Sequence, residues 1–168
     1  RFGKLDGIKV AIVGDIRHSR VARSDIHAMT ALGAEVTLVA PPTLRPLDTG
    51  GWPVEVTTDL DEALEGLDAV YLLRVQAERG GASVFPSFPE YRRRFGMTRE
   101  RLARLPKDAV VLHPGPMIRG IEIDAEVADD PRALVLDQVT NGVAVRMAVL
   151  YLLAGGSPNW AHPGGGGE

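Results

Sequence analysis

Cysteine is absent from this chain of 168 residues. Its absence excludes disulfides, thiolate zinc sites and thiol nucleophiles, and it is typical of proteins in the reducing cytoplasm. Histidine is scarce, and no two histidines stand four residues apart as helical metal ligands would. We therefore expect no bound metal; the four histidines are His18, His27, His113 and His162.

The chain has neither a strong excess of one charge nor a long hydrophobic run. Lys and Arg total 19 against 22 Asp and Glu, and the net charge of −3 argues against a nucleic-acid binder. The longest apolar run, residues 143–154, covers 12 positions and contains Arg146, whereas a membrane span needs about 20. The composition, 45% hydrophobic and 24% charged, is that of one globular domain. We expect a cytoplasmic protein that binds neither nucleic acid nor membrane.

Short apolar runs alternate with helical patterns along the chain. The runs predict strands at residues 9–14, 35–39, 69–73 and 109–112, and a brief extended segment at 54–57. Helices are predicted at 19–32, where Gly33 supplies the stop, and at 59–67. Strands separated by helices indicate a parallel sheet that is covered on both faces. We predict a single α/β domain with an open, doubly wound, Rossmann-like parallel sheet.

The carboxyl-terminal part of the sequence has two distinct patterns. Residues 142–154 are apolar almost all round, which in so small a domain indicates a helix that another protein surface covers. Residues 155–168 are rich in glycine and proline and contain four consecutive glycines. We therefore predict a domain at residues 1–154 followed by a flexible tail at 155–168.

Ligands of open parallel sheets bind beyond the carboxyl ends of the strands, so the loops there are the candidate sites. The loop after the first strand lacks the glycines of a dinucleotide fingerprint. It offers Arg17, Arg20 and the start of a helix, which together favour a small anion. The alternative is a surface loop with solvated arginines.

Two further loops carry groups suited to a small polar ligand. Arg74 and Gln76 follow the strand at 69–73 and share a face in extended geometry, so they can grip a carboxylate and a neighbouring amine or carbonyl, or form a structural salt bridge. Pro114 and Pro116 flank Gly115, which leaves carbonyl oxygens as fixed acceptors for a ligand amine, or simply makes a rigid turn. His113 by itself is interpreted as a hydrogen-bonded structural residue.

A cluster of arginines between residues 92 and 104 has no interleaved aromatic platform for nucleic acid. We interpret it as a solvated helical face; its members are Arg92, Arg93, Arg94, Arg99, Arg101 and Arg104.

Several segments together resemble the aspartate carbamoyltransferase family. They stand in the family's order and approximate spacing over about residues 1–154, and comprise 15–24 (DIRHSRVARS), 73–79 (LRVQAER), 112–116 (LHPGP), 119–123 (RGIEI) and 138–146 (QVTNGVAVR). Ornithine enzymes of the wider group carry a His-Cys-Leu-Pro loop where this chain has HPGP at 113–116. The resemblance therefore favours aspartate as the amine substrate.

The resemblance implies specific roles. Arg20, Arg74 and Gln76 would bind the carboxylates of L-aspartate, and the carbonyls of Pro114 and Gly115 would contact the carbamoyl NH₂ and the incoming amine. The implied reaction is attack of that amine on carbamoyl phosphate, in pyrimidine biosynthesis, by a cytoplasmic homotrimer. No cofactor or covalent enzyme intermediate is implied, because proximity and charge neutralisation can carry such a transfer.

The family's amino-terminal half carries a Ser-Thr-Arg-Thr-Arg motif for carbamoyl phosphate, and this sequence has no such motif. We therefore expect the chain to be the aspartate-binding half, inactive by itself, whose terminal helix packs on the carbamoyl-phosphate domain. Two alternatives stay open: a non-catalytic module that binds a dicarboxylate or docks on a partner subunit, and a transcarbamylase for another amine such as ornithine.

Overall fold

The computed structural model describes residues 1–75 and 87–156. Its strands are β1 (Lys9–Val13), β2 (Glu35–Val39), β3 (Val54–Thr57), β4 (Ala69–Leu72) and β5 (Val110–Leu112). Its helices are α1 (Arg20–Ala31), α2 (Leu60–Ala63), α3 (Phe88–Phe95), α4 (Arg99–Arg104), α5 (Ala125–Ala128) and α6 (Val135–Leu153).

The five strands form one parallel sheet in the order β3-β2-β1-β4-β5. Every residue of β4, and every residue of β1 after Lys9, is buried. Because alternate side chains of a strand point to opposite faces, both faces of the sheet centre are covered. The prediction of an α/β fold with a parallel sheet is confirmed. The brief extended segment predicted at 54–57 is β3, which pairs with β2 at the sheet edge.

Helix α1 begins and ends where the sequence predicts. The Ser19 side chain accepts a hydrogen bond from the Ala22 N–H at 3.0 Å and caps the first turn. Gly33 ends the helix at φ +86°, a left-handed conformation that side chains resist. A Cβ at Gly33 would also lie 2.7 Å from Oδ1 of Asp6, so this position requires glycine.

Helix α2 is shorter than the predicted helix at 59–67. Asp59 caps its start by accepting a hydrogen bond from the Glu62 N–H. The last helical residue is Ala63, and Gly66 adopts φ +69° three residues later. The sequence pattern includes these residues because Leu64 and Leu67 are buried, although they lie in a turn.

The arginine cluster at 92–104 is exposed as predicted at five of its six positions, and the prediction fails at Arg101. Arg101 is only 7% exposed; its guanidinium donates to the Asp61 carboxylate at 2.7 Å and to the Gly96 carbonyl at 2.6 Å. It also donates to the Arg93 carbonyl, which helps satisfy the end of α3. These partners are either distant in the sequence or backbone carbonyls. The amino-acid sequence around Arg101 therefore does not indicate that its side chain is buried.

The chain forms two compact units, Arg1–Val135 and Leu136–Glu168. The second unit, described to residue 156, consists almost entirely of α6, which begins seven residues before the predicted start at Gly142. Its large apolar side chains are exposed, among them Leu136 and Leu153 at 81% each. Within residues 1–75 and 87–156, no helix combines the length and the apolar character of a membrane span. The division into a domain at 1–154 and a tail at 155–168 stays a prediction.

Candidate functional site

The strand order has a switch point between β1 and β4. From β1 the chain proceeds outward through β2 to β3, then returns to place β4 on the other side of β1. Loops on either side of such a point diverge and leave a crevice at the carboxyl ends of the strands, where α/β proteins bind their ligands. Here the crevice lies between the loop after β1 and the loop after β4, and the loop after β5 is its next neighbour.

The loop after β1 is held by Asp15, which is 4% exposed. Its carboxylate accepts from the backbone N–H of His18 at 3.1 Å and lies 2.9 Å from Nδ1 of the same residue. This turn leads directly into the cap at Ser19 and places Arg20 as the first residue of α1. Arg17 and Arg20 are both exposed, and among the described residues no carboxylate pairs with either guanidinium. The predicted basic helix start is therefore accessible to a ligand.

The loop after β4 begins on the same edge of the sheet. Arg74 follows two buried residues beyond β4, Leu72 and Leu73, and is itself half-buried. Gln76, the second predicted ligand group of this loop, lies outside the described residues. Because β1 and β4 are hydrogen-bonded neighbours, Arg20 and Arg74 flank the switch point from its two sides.

The loop after β5 presents Pro114 and Gly115 at the surface, since both are exposed. Gly115 adopts φ +67°, and its peptide bond to Pro116 is cis. The Gly115 N–H donates to Nδ1 of His113 at 2.9 Å. His113 is 1% exposed, so the predicted structural, hydrogen-bonded role of this residue is confirmed.

Two buried residues behind the loops escaped the sequence analysis. Glu122, 1% exposed, accepts a hydrogen bond from the Ile118 N–H and lies 3.4 Å from Nε2 of His113. Tyr91 on α3 is 2% exposed, and a Cβ at Gly14 would lie 3.0 Å from its hydroxyl oxygen. Burial raises the pKa of the Tyr91 hydroxyl, and the negative charges of Glu122 and Asp15 raise it further.

A signal for Glu122 was present in the sequence. It lies within the segment 119–123, which contributed to the family resemblance, but a single glutamate there gave no indication of burial. Tyr91 carried no usable signal because it directly precedes the arginine-rich stretch at 92–104, which we interpreted as a solvated face. The structure brings both residues behind the strand ends that carry the predicted ligand groups.

A cavity of about 890 Å³ lies elsewhere, against β3 and the amino ends of β1 and β2. Four glutamates and one lysine are among its lining residues: Glu35, Glu55, Glu62, Glu65 and Lys9. None of the predicted site residues lines it. Because ligands of this sheet class bind at the carboxyl ends of the strands, we assign the site to the switch point.

The strand ends of this parallel sheet present arginines and a Pro-Gly-Pro turn at the positions that the sequence resemblance singled out. The family model of the aspartate/ornithine carbamoyltransferase Asp/Orn-binding domain matches residues 6–153. The chain belongs to this family.

The relatives at high identity are named for aspartate. The chain is 61% identical over all its 168 residues to an aspartate carbamoyltransferase catalytic subunit of Thermobifida fusca, of which it covers 53%. It is 62% identical over 156 residues to the protein of that name from Saccharopolyspora erythraea, which corresponds to 92% of this chain and 50% of the relative. The chain thus spans about half the length of the curated relatives it matches.

Solved structures with the same fold are more distant in sequence. The ornithine carbamoyltransferase of Pyrococcus furiosus superposes with a TM-score of 0.78 at 28% identity, over 92% of this chain and 52% of that one. The Thermus thermophilus ornithine carbamoyltransferase gives 0.74, also at 28% identity, over 90% of this chain and 50% of that one. These neighbours share the fold, whereas the relatives of the aspartate enzyme share more than half of the residues.

Proposed function

We propose that the chain is the aspartate-binding half of an aspartate carbamoyltransferase. In this proposal Arg20, Arg74 and Gln76 bind the two carboxylates of L-aspartate. The carbonyl oxygens of Pro114 and Gly115 accept hydrogen bonds from the carbamoyl NH₂ and from the incoming amine. A guanidinium fork suits a carboxylate because it can donate two parallel charge-assisted hydrogen bonds.

The observation that carries the proposal is the placement of these groups on neighbouring strands. Arg20 follows β1, Arg74 follows β4 and Pro114 follows β5, which are consecutive in the sheet. Residues widely separated in the sequence therefore share one edge, at the switch point where ligands of such sheets bind. The exposure of Arg20, Pro114 and Gly115 leaves them accessible to a substrate.

The proposed chemistry is transfer of the carbamoyl group from carbamoyl phosphate to aspartate. The neutral α-amine attacks the carbonyl carbon and forms a carbon–nitrogen bond in a tetrahedral intermediate. The bond from this carbon to the bridging phosphate oxygen then breaks, the nitrogen loses a proton, and N-carbamoyl-L-aspartate and phosphate leave. Two polyanions must be held together for the attack, so proximity and charge neutralisation are what the protein contributes.

We propose that the complete enzyme contains a carbamoyl-phosphate domain in addition to this half. The exposed apolar surface of α6 supports this, because an apolar helix of this kind is normally covered by another protein surface. A homotrimeric assembly, a cytoplasmic location and a place in pyrimidine biosynthesis belong to the same proposal. They rest on the family resemblance and on the lack of cysteine.

A chimera tests the function directly. This chain replaces the matching half of the Thermobifida fusca catalytic subunit, to which it aligns over its full length. We expect the chimera to form N-carbamoyl-L-aspartate from carbamoyl phosphate and aspartate, and the 168-residue chain alone to form none. Product from ornithine instead of aspartate would favour the other branch of the family. Binding of aspartate by a folded chimera that forms no product would favour the non-catalytic module.

A further inference from the structure

His113 accepts a hydrogen bond that determines which of its ring nitrogens presents a lone pair. The Gly115 N–H donates to Nδ1 of the ring at 2.9 Å, so Nδ1 must present a lone pair rather than a proton. The neutral ring then carries its proton on Nε2. This atom lies 3.4 Å from Oε1 of Glu122, whose charge favours an N–H directed toward it.

Glu122 extends this arrangement to the other end of the same loop. Its Oε1 accepts the hydrogen bond from the Ile118 N–H, while Oε2 is buried and accepts no hydrogen bond from any described residue. The side chains of His113 and Glu122 are 0% and 1% exposed. Two buried side chains in contact therefore hold the loop at Gly115 and at Ile118.

The loop needs such support because its own backbone has few hydrogen-bond donors. Pro114 and Pro116 have no N–H, so the Gly115 N–H is the sole main-chain donor of the three residues. Gly115 also adopts φ +67°, a conformation open to glycine and unfavourable for residues with a side chain. The hydrogen bond to His113 therefore orients the peptide plane between Pro114 and Gly115, which carries the Pro114 carbonyl.

We propose that His113 is a positioning residue: its unprotonated Nδ1, held in that tautomer by Glu122, orients the Pro114 carbonyl toward the reacting amine. The inference rests on the proposed function for the identity of that amine. His113 does not act as a base on the substrate, because its side chain is fully buried and its basic nitrogen is already occupied by the Gly115 N–H. Misplacement of a positioning group by about 1 Å can cost on the order of 100-fold in rate.

Two substitutions distinguish the contributions of the two ring nitrogens of His113. His113→Asn places an amide oxygen near the position of Nδ1 and keeps an acceptor for Gly115, whereas His113→Gln places its amide near Nε2 and removes that acceptor. In the active chimera we expect His113→Asn to retain kcat/KM within about threefold and His113→Gln to lower it about 100-fold, chiefly in kcat. Equal effects of the two variants would overturn the role.

A spectroscopic measurement tests the geometry without any substitution. In the 168-residue chain with ¹⁵N-labelled histidine, long-range proton–nitrogen correlations should show His113 with Nδ1 unprotonated and Nε2 protonated at neutral pH. The signal is assigned by its absence in His113→Asn. A charged ring, or a proton on Nδ1, would contradict the proposal whatever the kinetics of the two variants.

The results of these experiments also distinguish a failure of the positioning role from a failure of the proposed function. An inactive, folded wild-type chimera overturns the proposed function and the catalytic role of His113 with it. An active chimera in which His113 carries the wrong tautomer, or in which Asn and Gln behave alike, overturns the positioning role alone.

Discussion

Arg20 and Arg101 are both helical arginines of the first compact unit, but the fold uses their charges differently. Arg101 is 7% exposed, and its donors bind Asp61 and the carbonyls at the end of α3. Arg20 is exposed at the start of α1, and among the described residues no carboxylate pairs with its guanidinium. Arg101 links α4 to α2 and to the end of α3, whereas the donors of Arg20 remain available to a ligand.

The comparison shows that composition alone does not distinguish structural from ligand-binding arginines. Both lie in arginine-rich stretches of the sequence, 17–23 and 92–104. What separates them is whether a carboxylate and a helix end of the fold supply acceptors for the guanidinium. Substitutions should therefore divide into those that reduce substrate binding and those that reduce stability.

The largest effect is expected for the arginines at the switch point. In the chimera, Arg20→Ala and Arg74→Ala should each raise the KM for aspartate about 30-fold to several thousand-fold. The reason is that loss of a guanidinium from a desolvated carboxylate costs about 2–5 kcal/mol. The KM for carbamoyl phosphate should change far less. Steady-state kinetics with each substrate varied would measure this. Arg99→Ala, on the surface of α4, is the matched control, and unchanged aspartate kinetics in both site variants would refute the assignment.

The next largest effect is a loss of stability at Arg101. Arg101→Ala leaves buried carbonyls at the end of α3 without their donor and should lower the free energy of unfolding by about 2–4 kcal/mol. Denaturant unfolding of the 168-residue chain would measure this. Arg99→Ala, which removes an exposed pair with Glu126, should leave the unfolding midpoint unchanged. Equal midpoints for the two variants would contradict the structural role of Arg101.

Arg74→Lys tests whether the bidentate geometry matters in addition to the charge. A lysine keeps the positive charge but cannot donate two parallel hydrogen bonds, so one charge-assisted bond is lost. Such a bond contributes about 1.5–3 kcal/mol, so the KM for aspartate should rise roughly 10-fold to 150-fold. Aspartate titrations of the chimera and its variant provide the measurement. Full activity in Arg74→Lys would mean that the site needs only a point charge.

Asp25 contrasts with Asp61, because no cation among residues 1–75 and 87–156 forms an ion pair with its carboxylate. Burial raises its pKa to about 6, although the Tyr71 hydroxyl donates a hydrogen bond that opposes the shift. The folded state therefore holds this proton more tightly than the unfolded state, and stability falls as the pH rises from about 4 to 6. Asp25→Asn should stabilise the chain by about 1–2 kcal/mol above pH 6, after discounting for solvent screening.

The gain from Asp25→Asn should shrink as the pH falls below about 6 and vanish below about pH 3, where the carboxyl is protonated in both the folded and the unfolded state. Denaturant unfolding at pH 4, 5, 6 and 7.5 measures the difference between the two proteins. Asp61 provides the contrast, because its hydrogen bond with Arg101 lowers the pKa of that carboxyl. Its contribution is present above its unfolded pKa and is lost as the pH falls below that value. A gain for Asp25→Asn that does not depend on pH would show that Asp25 is not the titrating group.

The sheet was predictable because its strands are continuous apolar runs. β1, β2, β4 and β5 were each predicted to within one residue, since burial on both faces removes the polar alternation that blurs strand boundaries. β3 coincides with the extended segment predicted at 54–57, although it is half-exposed and follows a proline-rich connection. The start of α6 was missed because Asp137, Gln138 and Asn141 interrupt the apolar pattern on which the prediction relied.

The candidate site was predictable only where its residues stand in loops after strands. Arg20, Arg74, Pro114 and Gly115 could be selected in this way, whereas Gln76 lies outside the described residues. The supporting contacts could not be predicted, because the pairing of His113 with Glu122 depends on how the chain turns between residues 114 and 121. The burial of Arg101 likewise depends on Asp61, 40 residues away.

The position of β3 also bears on how the protein behaves when concentrated. It is one of the two outer strands of the described sheet, so one side of its backbone has no neighbouring strand there. Unpaired edges recruit extended segments of other molecules unless shortness, proline or charge prevents it. β3 has all three protections, because it spans four residues, follows Pro53 and carries the exposed Glu55 near its centre. This edge of the sheet is therefore protected against strand addition, and β2 separates it from the two strands flanking the switch point.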